Sequence, residues 1–436
     1  MKEKIKVVWL CHFSNDFVHE KLHLGDCLWK RFLRKLFHKP LNTNVSEFAV
    51  WITNGIRAFE KTNEVDLHIV SPYPYLKSSI EEFEANGVYY HFFHNEDELL
   101  TKQLRNRFFC TSKDQYRKNR KLISRIIRKI QPDIVHLFGA ENPHYSLGVL
   151  DVSPNVVTIA QLQTLLNDPA FLENNKESTS FFYKSEVERK IIQHVDFVGT
   201  LALKYRDVVQ EYCKPNVCFV NTNLALFEPI VIEQTKKQFD FVYFASNISK
   251  AADLALEAFG MAYQEKSNIT IDIIGGFDAN FKERLDGILQ KYGISHAVVF
   301  EGSLPTHDDV LSQIRKARFA LLPLRVDLTS GTIREAMSNG LPVITTDTGV
   351  LGTQRLNLKR QNVLISPIGD HHALAENMIR LLNDRGLEET LRQNAYLTRS
   401  GAATNESVIQ NYIKVYYACI ENHRNHTPLP AELTEI

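Results

Sequence analysis

Apolar residues run nearly unbroken from Lys4 to Cys11, from Val65 to Ser71, from Gly87 to His94, from Val156 to Gln163 and from Val217 to Val220. Short continuous apolar runs of this kind read as strands buried on both faces of a parallel sheet. The intervening segments repeat their apolar positions at helical spacing. They are Val45 to Lys61, Lys102 to Lys129 with Ile123, Ile126 and Ile127 on one face, and Phe181 to Gln193. The pattern then restarts. Phe239 to Phe244, Ile269 to Ile274, Ala297 to Phe300, Phe319 to Leu324, Val343 to Thr346 and Gln361 to Pro367 read as strands. A turn at Ser246 to Lys250 leads into a helix ending near Tyr263, and Gly369 to His372 opens another. Strands alternating with helices predict an α/β chain built from parallel sheets. Leu226 to Lys237 holds Pro229 and then polar residues, a linker signal. The expected domains are therefore 1–228 and 239–404, joined by 229–238, then a helix over 405–423 and a tail over 424–436, disordered from His426.

The stretch Leu321 to Asp347, LLPLRVDLTSGTIREAMSNGLPVITTD, is the most informative. An apolar strand ends in the polar turn Asp327-Leu328-Thr329-Ser330-Gly331, and a short helix follows. Gly340 and Pro342 close that helix, and Ile333, Ala336 and Met337 mark its buried face. N–H groups at a helix start carry partial positive charge, so the turn Thr329, Ser330, Gly331, Thr332 suits a phosphate. Glu335, about one turn in, is placed to accept hydrogen bonds from a sugar hydroxyl of the same ligand. Thr332-x-x-Glu335 also fits a capping box, which needs no ligand.

Other loops fall at the carboxyl ends of strands, where open α/β sheets bind ligands. The loop His12 to Asp16, with His12 and Ser14, is one; any first strand also needs a polar exit. Gln131 to Pro143 carries a strand into a Gly-containing loop with His136 and Glu141. Gly275-Gly276 ends another strand, and a bare backbone there lets a ligand approach.

Composition narrows the function. The 436 residues hold 51 Lys+Arg and 51 Asp+Glu, a balance that disfavours a general nucleic-acid binder. The six cysteines form no Cys-x-x-Cys pair and read as free thiols of a reducing compartment. The first apolar run is too short to span a membrane, so the expectation is cytoplasmic. Lys21 to Asn42 alternates Leu28, Trp29, Phe32, Leu33, Leu36 and Phe37 with five Lys or Arg residues. Such a segment can lie on an anionic inner-membrane face. The commoner arrangement is a helix packed on its own domain with a solvated basic face. Gly-x-Gly-x-x-Gly, a P-loop and Asp-x-Asp are all absent, and His371-His372 lack a third ligand. No cofactor and no metal site is expected. A sugar diphosphate would then be neutralised by helix N-termini and lysine.

Glu335-Ala336-Met337-Ser338-Asn339-Gly340-Leu341-Pro342-Val343 resembles the signature of retaining GT-B glycosyltransferases, especially family 4. The family pairs that glutamate with another eight residues earlier, where this chain has Asp327, shorter by one methylene. The resemblance implies two Rossmann-like domains facing across a cleft, with the helix over 405–423 packed back on the first. It implies that the second domain binds a nucleotide-sugar, a UDP- or GDP-sugar. Glu335 would take the ribose, Ser330, Gly331, Thr332 and Lys250 the diphosphate, Asp327 the donor sugar, and Gly302 a loop framing the base. Asn247 stands roughly where the family carries an arginine, and Lys250 also suits a solvated helix start. In the first domain, His12, His136 and Glu141 would orient a carbohydrate or lipid-linked acceptor, and Gln161 and Gln163 stand near the place of a family histidine. Transfer would retain the anomeric configuration without a metal, in polysaccharide or glycolipid assembly. A sugar-nucleotide epimerase and a non-catalytic nucleotide-sugar binder share the architecture.

Overall fold

The computed structural model describes residues 4–25, 47–95, 116–175, 178–199, 203–211, 218–222, 235–245, 250–325, 331–349, 352–400 and 405–434. The chain forms two compact units, Met1–Leu226 with Thr404–Ile436, and Phe227–Ala403.

The first unit is built on eight strands: β1 (Ile5–Leu10), β2 (Val65–Tyr73), β3 (Ile80–Ala85), β4 (Val88–His94), β5 (Ile134–Phe138), β6 (Val157–Gln161), β7 (Phe197–Gly199) and β8 (Cys218–Val220). Their spatial order is β3-β4-β2-β1-β5-β6-β7-β8. Every pairing is parallel except β3 with β4. The central strands are buried throughout, which is why they read as continuous apolar runs rather than as alternation. Periodicity missed β3, an edge strand of polar and half-buried residues. Its signal is the Asn-Gly turn that follows. Asn86 and Gly87 have φ of 52° and 76°, the left-handed pair that a two-residue hairpin requires.

The helix Asn405–Asn425 completes this unit. Tyr412, Tyr416 and Cys419 on it are fully buried with Trp9, Phe59 and Phe138. The Trp9 indole N–H donates to the Tyr416 hydroxyl at 2.9 Å. Burying both aromatic bodies removes a large apolar area from water while each polar tip keeps a partner. The tail is not disordered as the sequence reading has it. Ala431–Leu433 form a 3-10 turn, Leu433 is buried, and its carbonyl accepts the Asn221 N–H at 2.8 Å. One apolar anchor and a backbone bond suffice to order a segment that looks polar in composition. The helices expected over Val45–Lys61 and Lys102–Lys129 are described only in part, as Val50–Phe59 and Arg117–Ile130. Most of the Lys21–Asn42 segment lies outside the described residues.

The second unit has six parallel strands: β9 (Phe239–Phe244), β10 (Ile271–Ile274), β11 (Val298–Gly302), β12 (Ala317–Leu322), β13 (Val343–Thr346) and β14 (Val363–Ser366). The order β11-β10-β9-β12-β13-β14 is 3-2-1-4-5-6 counted within the unit. That is the doubly wound Rossmann order. The helix Ala252–Glu265 after β9 packs against the helices Ala279–Tyr292 and His371–Asn383. Ala255, Ala258 and Ala262 make it small enough to fit there. Gly260 lets it approach Tyr292 closely, since a Cβ there would meet the ring at 2.4 Å.

Candidate functional site

The parallel strands of each sheet reverse their order once, and a crevice opens at the carboxyl ends of the two strands that flank the reversal. In the second unit these strands are β9 and β12. Ala320 pairs with Val242, so both exits open at one edge. Lys250 lies just past β9, and Arg325 just past β12. The helix Gly331–Ser338 follows, with Ile333, Ala336 and Met337 buried. Gly331 is its first residue, so Thr332 lies inside the helix and cannot be the cap of a Thr332–Glu335 capping box. Glu335 instead faces His307, with Nε2 3.5 Å from its carboxylate. Loss of hydration pushes the Glu335 pKa up, and the nearby His307 and Lys250 pull it back. Glu335 and Lys250 are thus brought into electrostatic reach across 85 residues of sequence.

Gly275 directly follows β10, and Gly302 ends its neighbour β11. The Gly275 N–H donates to the Gly302 carbonyl at 2.8 Å, and Gly302 has φ of 73°, a conformation that favours glycine. Asp327, Thr329, Ser330 and Asn247 lie outside the described residues.

Sequence reasoning missed two features here. His307 opens the helix His307–Ile314 behind a capping box of Thr306 and Asp309, a pattern readable in the sequence. Arg325 reaches Asp253, with one terminal nitrogen 2.9 Å and 2.8 Å from the two carboxylate oxygens. Asp253, 2% exposed, sits in the first turn of the helix after β9 and also pairs with Arg284 at 2.7 Å. The 72 residues between the two partners leave no local signal for this contact.

In the first unit the reversal lies between β1 and β5. His12 follows β1, and its Nδ1 lies 3.1 Å from Nε2 of His144, which follows β5. Burial, with His144 adding to it, holds the His12 pKa down at about 3, so its ring is neutral near pH 7. His144 was missed, because the one-turn helix Pro143–Ser146 that carries it is too short to show a periodic signal. Ser14 is buried, with its hydroxyl 3.3 Å from that of Tyr73. Glu141 lies at the same exit. Gly139 has φ of 85°, and a Cβ there would meet the Glu141 carboxylate at 2.7 Å. One Glu141 oxygen accepts from Asn142 at 3.0 Å, and the other is buried without a hydrogen-bond partner. Burial raises its pKa to about 7, the Glu188 charge adds to that, and Lys184 opposes it.

Two expected site residues are corrected. His136 is not at the loop but inside β5, 0% exposed. Its Nδ1 lies 2.8 Å from the Tyr416 hydroxyl and its ring stacks on Phe138 at 4.2 Å. Strand alternation turns it toward the C-terminal helix, where burial keeps it neutral with a pKa of about 3. It is a core histidine. Gln161 is also buried. Its amide donates to the Leu162 carbonyl and accepts from Thr222, tying the ends of β6 and β8 together behind Gly199. Among the described residues, no group of three or more His, Cys, Asp or Glu could hold a metal, and no helix is long and apolar enough to cross a membrane.

The family model for glycosyl transferases group 1 matches residues 228–398. The second unit is a group 1 glycosyl transferase domain. An uncharacterized glycosyltransferase of Methanocaldococcus jannaschii is 28% identical over 139 residues, 30% of this chain and 38% of that protein. The matched part therefore spans under two-fifths of that relative's length. Among solved structures, the sucrose-phosphate synthase of Thermosynechococcus elongatus matches with a TM-score of 0.66 at 15% identity, over 95% of this chain and 98% of that one. Anabaena HepE in complex with UDP and glucose matches with a TM-score of 0.60 at 12% identity, over 95% and 100%. At such identities the likeness is one of fold, and the fold is that of GT-B glycosyltransferases. These matches do not favour an epimerase or a non-catalytic binder.

Proposed function

We propose that this glycosyl transferase takes a sugar from a UDP- or GDP-sugar and attaches it to a hydroxyl of a carbohydrate or lipid-linked acceptor, with retention and without a metal. The observation that carries the reading is the mouth of the second unit's strand reversal. There Lys250 and Glu335 lie within electrostatic reach, beside a helix N-terminus. A nucleotide-sugar asks for these groups: a carboxylate for the ribose hydroxyls, and a cation with backbone N–H groups for the diphosphate. HepE, of the same fold, was solved with UDP and glucose. Asp327 is assigned the donor sugar, and the turn Thr329–Thr332 the diphosphate. The glycosidic bond from the anomeric carbon to the phosphate oxygen breaks, and the acceptor oxygen bonds that carbon on the same face. The acceptor proton leaves with the diphosphate. His12, Ser14 and Glu141, at the first unit's reversal, are assigned to the acceptor. Assembly of a polysaccharide or glycolipid in the cytoplasm or at its membrane face is the setting that suits such an acceptor.

Calorimetric titration with UDP, GDP and ADP tests the reading. One nucleotide should bind the wild type, and Glu335→Ala should weaken it by about tenfold or more, the loss of hydrogen bonds to a charged group. Silence from all three nucleotides, or an unchanged affinity in the variant, would sink it.

A further inference from the structure

We propose that the second unit holds a separate ligand site for a small organic phosphate monoester, in a cavity of about 370 Å³ beside the helix Gly331–Ser338. Small-molecule sites start at roughly 300 Å³. The charge of the lining has one sign. Arg334, Arg355 and Lys359 line the cavity, and among the described residues no Asp or Glu does. The acids closest in sequence are committed elsewhere. Glu335 faces His307 at 3.5 Å, and Asp347 accepts from Gln354 at 2.7 Å and from the Gly349 N–H at 2.8 Å. Behind Arg334 lies Arg399, whose pKa is lowered to about 10 by burial, with Arg334 adding to it. Cations are thus gathered here against their mutual repulsion, which a bound anion relieves. Arg355 and Lys359 are exposed, and they are the pair assigned to the phosphate. A guanidinium supplies a fork of donors and an ammonium a point charge.

The rest of the lining explains why the ligand needs a carbon body. Ile333 and Leu356 line the same cavity, and Leu358 stands at it with 70% of its surface exposed. Inorganic phosphate would leave this apolar surface in water, whereas an ester can cover it. The walls are built before any ligand arrives. The Thr398 hydroxyl donates to Asn362 at 2.9 Å, and the Asn362 amide donates to the Leu356 carbonyl. The Asn357 side chain accepts the N–H groups of Asn362 and Val363 at 2.8 Å and 3.1 Å. A preformed wall lowers the ordering cost of binding. Neither Glu335 nor Lys250 lines the cavity. Helix residues two apart point about 200° apart, so Ile333 and Glu335 occupy different faces of their helix. This site therefore stands apart from the donor reading.

Phenyl phosphate, inorganic phosphate and phosphatidylcholine vesicles with and without phosphatidic acid are the probes, used at low salt because such contacts are screened. In calorimetric titration phenyl phosphate should bind the wild type about threefold or more tighter than inorganic phosphate, through the apolar surface its ring covers. The double variant Arg355→Gln, Lys359→Gln should weaken phenyl phosphate by about tenfold or more. Leu358→Asp, at an exposed position where folding is not at stake, should also weaken it by setting a carboxylate at the cavity. Lys250→Gln should leave it within about twofold, as for a distant site. Vesicle binding that needs phosphatidic acid and is lost in the double variant assigns the phosphate to a lipid headgroup. Binding of phenyl phosphate without vesicle binding assigns it to a soluble ester. A wild type that ignores phenyl phosphate overturns the proposal. So does binding that Lys250→Gln abolishes and the double variant keeps, or equal affinity for the two soluble phosphates. A wild type that binds phenyl phosphate but no nucleotide keeps this site and sinks the donor reading alone.

Discussion

The two units share a doubly wound parallel sheet and one reversal of strand order, yet they fill that reversal with opposite chemistry. In the second unit it is charged, with Lys250, Arg325, Asp253, His307 and Glu335 around the exits of β9 and β12. In the first it is part-buried, with His12 neutral beside His144 and a carboxylate whose pKa is lifted to about 7. The first unit's centre is a polar network inside the core, where Tyr416 joins Trp9 to His136. The lesson is that a shared topology fixes where a ligand can enter, while the residues at the strand ends fix what can enter. Lysine, arginine and carboxylate groups suit the phosphates and hydroxyls of a nucleotide, and a part-buried polar set of lower charge suits hydroxyl groups.

Four changes test the contrast, the largest first. Trp9→Ala should cost the first unit about 3–5 kcal/mol through the cavity it leaves, because Trp9 is fully buried between Phe59 and Phe138. Scanning calorimetry should then show a low-temperature transition that UDP or GDP does not raise. If every transition rises with nucleotide, the two units do not unfold independently. Tyr416→Phe should cost about 2–3 kcal/mol in urea denaturation, since it strips a partner from both Trp9 and His136 in a dry core. Nucleotide affinity should stay put.

Glu141→Gln probes the first unit's reversal. The folded pKa of about 7 lies above the unfolded value of about 4.3, so the native state binds the extra proton. Its stabilising effect is full below the unfolded pKa and is lost as pH rises toward the folded one. From pH 5 to pH 8 the wild type should therefore lose ground to the glutamine variant, by about 2–3 kcal/mol. An equal change in stability of the two proteins between the two pH values, read by urea denaturation, would show that Glu141 is hydrated. The smallest effect belongs to the charged site. His307→Gln should change stability by about 1 kcal/mol or less, because both partners of this pair are part-exposed. It should still weaken nucleotide binding about twofold by releasing Glu335, an electrostatic effect of a few tenths of a kcal/mol.

What the sequence made legible follows the same division. The second unit's candidate site was legible, because a strand, a polar sequence, a short helix and Glu335 all lie within one local stretch. The first unit did not. His136 sits three residues before a loop glycine and reads as a loop histidine, yet strand alternation points it into the core. Gln161 likewise ends a strand but spends its amide on Thr222 and Leu162. The Arg325–Asp253 and His307–Glu335 contacts were hidden for the reason that hides most tertiary contacts. Their partners are 72 and 28 residues apart, and no periodicity links them.

The helix that closes the first unit, Asn405–Asn425, is made only after the whole of the second. Trp9 and Tyr416 are 407 residues apart, so at about 5–20 residues per second the indole waits roughly 20–80 s for its partner. During that interval the second unit can emerge whole and fold, while the first presents an unfinished apolar face. The nascent chain thus has a vulnerable window set by gene order rather than by stability. A stop codon placed just before Asn405 would leave the second unit intact and its companion unable to finish.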